Sequence, residues 1–253
     1  VLCLGPGGDY IDTYRPDPKK PGRLIRDREP IRLKLVDLPP VHELRKASDG
    51  SLVCELGRAD ASELVNRGWV MPERFVAKGR DGATDIYGVI YRPRGSSDDL
   101  TARPVVEQIY AGPHGFHVPV GFAVSHGQQK FTDEGFVLVR IDGMGTNWRG
   151  KAFHDVCWKN LRDAGFPDRV AWLKAAAAER PWMDLGRVGI FGGSAGGQNA
   201  LRGLLDYPDI YKVGVADCGC HDNRMDKIWW NELWMGWPVD EAYERSSNVV
   251  DAD

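Results

Sequence analysis

The chain has 253 residues, 42% hydrophobic and 27% charged, a balance typical of folded proteins and too apolar for a disordered one. Lys and Arg number 33 against 36 Asp and Glu, and the net charge of −3 argues against a general nucleic-acid binder. No apolar run approaches the roughly 20 residues of a membrane helix, and five cysteines are too few and odd in number for a disulfide framework.

The first residue is Val1 rather than Met, so the natural start is expected elsewhere. Residues 1–40 hold Gly5-Pro6-Gly7-Gly8, several polar turns and six further prolines. Between Arg15 and Lys34, eight basic residues face three acidic ones. This stretch lacks the aromatic residues that stack on bases, so it reads as a solvated insertion between strands. Next, His42–Arg45 and Leu52–Leu56 form a hairpin through Ser48-Asp49-Gly50-Ser51, where Gly accepts a positive φ at little cost. A short helix over Ala61–Val65 follows. Two strands, Glu73–Ala77 and Ile86–Tyr91, flank the turn Gly79-Arg80-Asp81-Gly82.

Beyond this point strands and helices alternate. Val105–Tyr110, Phe136–Ile141, Val188–Phe191 and Val213–Ala216 read as strands, with helices expected over Ala152–Ala164 and Arg169–Arg180, the latter stopped by Pro181. That alternation indicates βαβ units, hence an α/β fold with a mainly parallel sheet. The boundary between the antiparallel part and this part is placed at residues 74 and 75.

Directly after Val188–Phe191 comes Gly192-Gly193-Ser194-Ala195-Gly196-Gly197, which contains Gly-x-Ser-x-Gly. The bare pattern is weak in a chain with 30 glycines. Its position, between an apolar strand and a helix-forming segment, makes it specific. A serine on a sharp strand-to-helix turn needs small neighbours two places either side, where strand and helix nearly touch. Such a turn also sets the next N–H, that of Ala195, at the positive end of a helix. A second oxyanion donor is expected from the loop Tyr110-Ala111-Gly112-Pro113-His114-Gly115, through the Tyr110 hydroxyl. Cys218-Gly219-Cys220-His221 has cysteines spaced too closely for a usual zinc site and no second ligand pair elsewhere. Neither metal nor cofactor is expected, and the thiols are read as buried.

Tyr110-Ala111-Gly112-Pro113, then Ile141-Asp142-Gly143-Met144-Gly145, then Gly192–Gly197, in that order and each after a strand, resemble the prolyl oligopeptidase family of serine peptidases, in particular its dipeptidyl peptidase IV branch. The resemblance runs from about Phe75 to Pro238. It implies an α/β-hydrolase domain over residues 75–253, preceded in 1–74 by the closing antiparallel strands of a β-propeller. It implies Ser194 as nucleophile, Tyr110 and the Ala195 N–H as oxyanion donors, and a peptide as substrate. A homodimer of the full-length protein and an extracytoplasmic location also follow from it. Met144 departs from the family's usual Arg. Cys220–Trp237 matches the wall of the substrate pocket. Asn223 and Asp226 stand there in place of aromatic residues, beside Trp229, Trp230, Trp234 and Trp237. Those tryptophans read equally as the packed side of an amphipathic helix. The acidic pair that binds a substrate's amino terminus lies on the family's propeller, outside this chain.

A nucleophilic serine needs a base and the base needs an orienting acid. In this fold both follow the serine, and only 59 residues follow Ser194. His221 would reverse the usual order. His114, His117, His126 and His154 precede the serine, while Asp217 and Asp251 have no later histidine to orient. The chain therefore reads as part of a longer protein that carries the Asp and His, and as nearly inactive alone with a sheet edge open. An esterase on the same fold and a non-catalytic binding protein are the alternatives. The Tyr-Ala-Gly-Pro loop, in place of a His-Gly-Gly-Gly type, weighs against the esterase.

Overall fold

The computed structural model describes residues 3–4, 10–16, 24–30, 36–37, 39–46, 48–95, 100–124 and 126–252. They divide into two compact units, one of residues 1–73 with 119–125 and one of 74–118 with 126–253.

In the first unit, β1 (Cys3–Leu4), β2 (Tyr10–Pro16) and β3 (Leu24–Pro30) form an antiparallel sheet in that order, with Tyr10 opposite Pro30 and Pro16 opposite Leu24. The basic stretch Arg15–Lys34 is therefore corrected from a solvated insertion: Leu24–Pro30 is a paired strand within it, while residues 17–23 and 31–35 lie outside the described residues. Gly5–Gly8 lies outside them too. β4 (Val41–Arg45) and β5 (Leu52–Arg58) make the second hairpin, closed by Gly50 at φ +72° and by Asp49 Oδ1, which accepts the Ser51 N–H at 2.9 Å. A short helix, α1 (Ser62–Asn66), follows, and Trp69 meets Phe122 edge to face at 5.7 Å.

The second unit is a six-stranded sheet of β6 (Glu73–Lys78), β7 (Asp85–Tyr91), β8 (Arg103–Gln108), β9 (Val137–Asp142), β10 (Met183–Gly193) and β11 (Tyr211–Asp217). Its order is β11-β10-β8-β9-β7-β6, with β9, β8, β10 and β11 parallel and β7 antiparallel to β9. The chain steps from β8 to β9 on one side, returns to β10 on the other side of β8, and continues outward to β11. Strand order thus reverses between β8 and β10, and the crevice beyond the carboxyl ends of two such strands is where open α/β sheets bind ligands.

Helices link these strands. α2 (His126–Asp133) lies between β8 and β9, and its Phe131 stacks on Phe191 of β10 at 4.7 Å. The helix expected over Ala152–Ala164 is corrected to a single turn, α3 (Lys151–His154), and a 3₁₀ turn at Asp155–Cys157. The chain then leaves helical geometry at Lys159 (φ 53°) and Ala164 (φ 45°), and the Lys159 N–H bonds the Trp234 carbonyl at 2.9 Å instead of a turn of its own. α4 (Phe166–Glu179) begins earlier than expected, with a proline in its first turn, a position that needs no N–H donor. Its Trp172 lies across Gly88, where an added Cβ would meet the indole at 2.4 Å. α5 (Ala195–Asp206) follows β10 directly. α6 (Ile228–Met235), α7 (Glu241–Arg245) and a 3₁₀ turn at Asn248–Asp251 complete the unit.

Val105, Val139, Ile141, Val188 and Ile190 meet Phe166, Trp172, Leu173 and Ala176 of α4 in the core. One ion pair lies inside it: Arg169 Nη1 meets Glu107 Oε1 at 2.6 Å, both side chains fully buried, and the Tyr211 hydroxyl donates to Glu107 Oε2 at 2.6 Å. Burial, with the Glu107 carboxylate beside it, pushes the Tyr211 phenol well above its ordinary pKa. Among the described residues no helix is long and apolar enough to cross a membrane.

Candidate active site

Ser194 sits alone between β10 and α5, exposed, at φ 56° and ψ −122°. The glycines around it are required by contact. A Cβ on Gly192 would lie 2.5 Å from the Gly196 and Ile109 carbonyl oxygens, and one on Gly196 would lie 2.4 Å from that of Ile109. A Cβ on Gly197 would meet the Asp217 oxygen at 2.2 Å. No side chain fits at any of the three. The Ser194 N–H donates to the Asp217 carbonyl at 3.0 Å and lies 3.3 Å from Cys218 Sγ. Ala195 opens α5, so its N–H has no carbonyl within the helix to bond.

The loop after β8 reaches the same crevice. The Ile109 N–H donates to the Phe191 carbonyl at 2.9 Å, and the Ala111 N–H donates to Asn199 Oδ1 at 2.9 Å. His117 Nε2 bonds the Gly112 carbonyl at 2.8 Å and His154 Nε2 bonds that of Pro113 at 2.9 Å, so each nitrogen carries the proton. Asp142, at the end of β9, takes the His117 and Val118 N–H groups on Oδ2 at 2.8 and 2.7 Å. The Tyr110 ring is held against His117 (centroids 4.6 Å apart) and His114 (5.8 Å), and lies 3.4 Å from the space beside Gly196. The fold therefore brings Tyr110, Ser194 and Ala195 to one place. Burial lowers the His117 pKa; its bond to Gly112 and the Asp142 charge oppose that shift, while His114 and Arg169 add to it.

An aromatic ladder continues from there. His114 meets Trp230 at 5.2 Å, and Trp230 meets Trp229 and Trp234 at 6.1 and 6.0 Å. Trp230 is half-buried beside the loop, Trp229 is 67% exposed and Trp237 is exposed. Trp234 is core, packed with Cys157, Leu161, Met235 and Tyr243. Asn223 is only 2% exposed; its Oδ1 accepts from Gln198 Nε2 at 2.9 Å and its N–H donates to Ser247 Oγ at 2.9 Å. That places it behind the crevice wall, with its polar atoms already engaged. Asp226 is half-buried, and its Oδ1 accepts the Lys227 N–H at 2.7 Å.

Two further polar candidates, His221 and Asp251, are engaged elsewhere. His221 Nδ1 bonds Asn248 Nδ2 at 3.0 Å, and burial lowers its pKa. Asp251 pairs with Arg162 and Arg202. His126 begins α2. Among the described residues no histidine is hydrogen-bonded to the Ser194 hydroxyl. Cys218 is exposed and Cys220 half-buried, correcting the reading of this pair as buried thiols; Cys157 is buried and Cys54 is exposed. Burial raises the Cys157 and Cys220 thiols to about 11. Among the described residues no cluster of three or more His, Cys, Asp or Glu side chains is arranged to hold a metal ion. Asn199, Asp142, His117 and His154 shape the site without having been singled out for it. Only Asp142, inside Asp-Gly-x-Gly, carried a signal in sequence.

Known proteins fit this geometry. The sequence model of the prolyl oligopeptidase family matches residues 122–253. Dipeptidyl peptidase 8 of Mus musculus is 32% identical over 186 residues, which are 72% of this chain and 21% of that protein. The Homo sapiens protein of the same name is also 32% identical, with 72% of this chain and 20% of that protein aligned. The crystal structure of Porphyromonas gingivalis dipeptidyl peptidase 4 superposes with a TM-score of 0.72 at 20% identity, covering 100% of this chain and 33% of that one. One from Bacteroides ovatus reaches 0.76 at 24% identity, covering 98% and 33%. The chain spans about a fifth of the length of the curated relatives it matches. With the crevice at the strand reversal and the serine turn above it, the chain belongs to the prolyl oligopeptidase family.

Proposed function

We propose that the protein is a serine peptidase of dipeptidyl-peptidase type, and that residues 75–253 are its hydrolase part while 1–74 end a β-propeller. Ser194 Oγ attacks the substrate carbonyl, and the peptide C–N bond breaks as the amine leaves with the proton taken from Ser194. Water then hydrolyses the acyl-enzyme, releasing the acid and restoring the serine hydroxyl. The Tyr110 hydroxyl and the Ala195 N–H hold the oxyanion, a contribution of roughly 3–4 kcal/mol per donor. Trp230, with Trp229 and Asp226 around it, lines the pocket for the residue before the cut bond, and buried Asn223 supports that wall from behind. The base that accepts the Ser194 proton, and the acid that orients it, are assigned to the longer protein. The observation that carries the reading is the backbone of Ser194, set at φ 56° between β10 and α5 next to the Tyr110 loop. The dipeptidyl peptidase names of its relatives support the substrate class.

The test uses the full-length protein. A fluorophosphonate is expected to label Ser194, with labelling lost in Ser194→Ala. Proline- and alanine-type dipeptide amides are expected to be cleaved along with simple esters. Cleavage of esters alone would convert the peptidase into an esterase. Labelling that persists in Ser194→Ala would remove the nucleophile assignment.

A further inference from the structure

We propose that Asn199 is a positioning residue which locks the Tyr110 loop to the helix of the serine turn, so that both oxyanion donors move as one body. The inference rests on the acyl-transfer reading above. Asn199 is buried in α5, the helix whose first N–H is that of Ala195. Its Oδ1 receives the Ala111 N–H at 2.9 Å in the interior. Ala111 is the residue after Tyr110. On the other side, Ile109 is the residue before it. The Ile109 N–H bonds the Phe191 carbonyl at 2.9 Å, and its own carbonyl lies where a Cβ on Gly192 or Gly196 would come within 2.5 and 2.4 Å.

Tyr110 is thereby held from both flanks, by the strand that enters the serine turn and by the helix that leaves it. The Ile109 tie is backbone to backbone. The Ala111 tie runs through a side chain, so it alone depends on which residue occupies the position. Oxyanion stabilisation requires donors fixed before the charge develops, and a misplacement of about 1 Å costs on the order of a hundredfold in rate. Asn199 would therefore act on kcat through the Tyr110 hydroxyl, without touching substrate.

That dependence gives the test. In the full-length protein, kcat and KM on a dipeptide p-nitroanilide are measured for Asn199→Leu, Tyr110→Phe and the double variant. With Tyr110 present, Asn199→Leu is expected to lower kcat about ten- to hundredfold and to change KM less than about threefold. In the Tyr110→Phe background the same change is expected to cost less than about threefold, because the group it positions has gone. Asn199→Asp, which keeps an acceptor oxygen, is expected to recover most of kcat. If Asn199→Leu does not fold, as judged by its thermal melt, Asn199→Ala replaces it with the same expectation of non-additivity. Equal losses in both backgrounds, or no loss with Tyr110 present, overturn the proposal. Tyr110→Phe with unchanged kcat overturns the oxyanion reading itself and this inference with it.

Discussion

Ser194 holds a backbone state that costs a non-glycine residue about 1–3 kcal/mol, and such strain persists only where the surroundings fix it. Here they are the Asp217 carbonyl on its N–H and glycines at 192, 196 and 197 that admit no Cβ. His117 plays a similar part for the neighbouring loop. Its half-buried ring bonds the Gly112 carbonyl and packs against His114, and burial, helped by the His114 and Arg169 charges against the pull of Asp142, holds its pKa below the ordinary value. The unfolded chain then takes up the proton first. The stability His117 provides is full above about pH 6.5 and is lost as pH falls through the lower, folded value. Between about pH 7 and 5 the melting temperature of the wild type is expected to fall more steeply than that of His117→Gln, whose amide still reaches a carbonyl. Parallel slopes would show that His117 does not titrate in this way.

Packing between α5 and β11 decides what the elements tolerate. Gly197→Ala sets a Cβ 2.2 Å from the Asp217 oxygen and 3.0 Å from the Gly219 nitrogen, both backbone atoms. The helix must then move off the strand and take the serine turn with it. Overpacking of this kind costs about 1–3 kcal/mol. Urea denaturation is expected to show that loss, and fluorophosphonate labelling of Ser194 is expected to slow with it. Slower labelling with no loss of stability would mean that the helix had not shifted. Elements with a local pattern were legible in sequence: the hairpin around Asp49-Gly50, the apolar strands and the glycine-framed serine. α2 was not, since His-Gly-Gln-Gln-Lys-Phe-Thr-Asp offers one aromatic anchor, Phe131, and no apolar stripe. The helix expected over Ala152–Ala164 gave way to the bond from Lys159 to Trp234, a partner far along the chain. The same distance hid the site's supports. Asn199 bonds a residue 88 positions away and leaves no pattern nearby; Asp142 bonds one 25 away, and its Asp-Gly-x-Gly setting marks the loop but not that partner.

At the level of the molecule, four parallel strands and one strand reversal explain why the Tyr110 loop lies beside the serine turn, since the two follow neighbouring strands whose connections depart in opposite directions. Among the described residues the same sheet order leaves β11 paired with β10 alone. Parallel strands are ordinarily covered on both faces, yet Val213 and Val215 of β11 are 68% and 66% exposed. An apolar edge with unpaired N–H and C=O groups is a template for another strand. Purified as these 253 residues, the chain is expected to associate through β11, with a mass by light scattering that rises with concentration. Val215→Lys places a charge on that edge without touching the serine turn, and is expected to hold the mass near the monomer value at the same concentrations. Association that survives the substitution would move the contact to another surface, for which the exposed Ile228, Trp229 and Leu233 of α6 are the next residues to change.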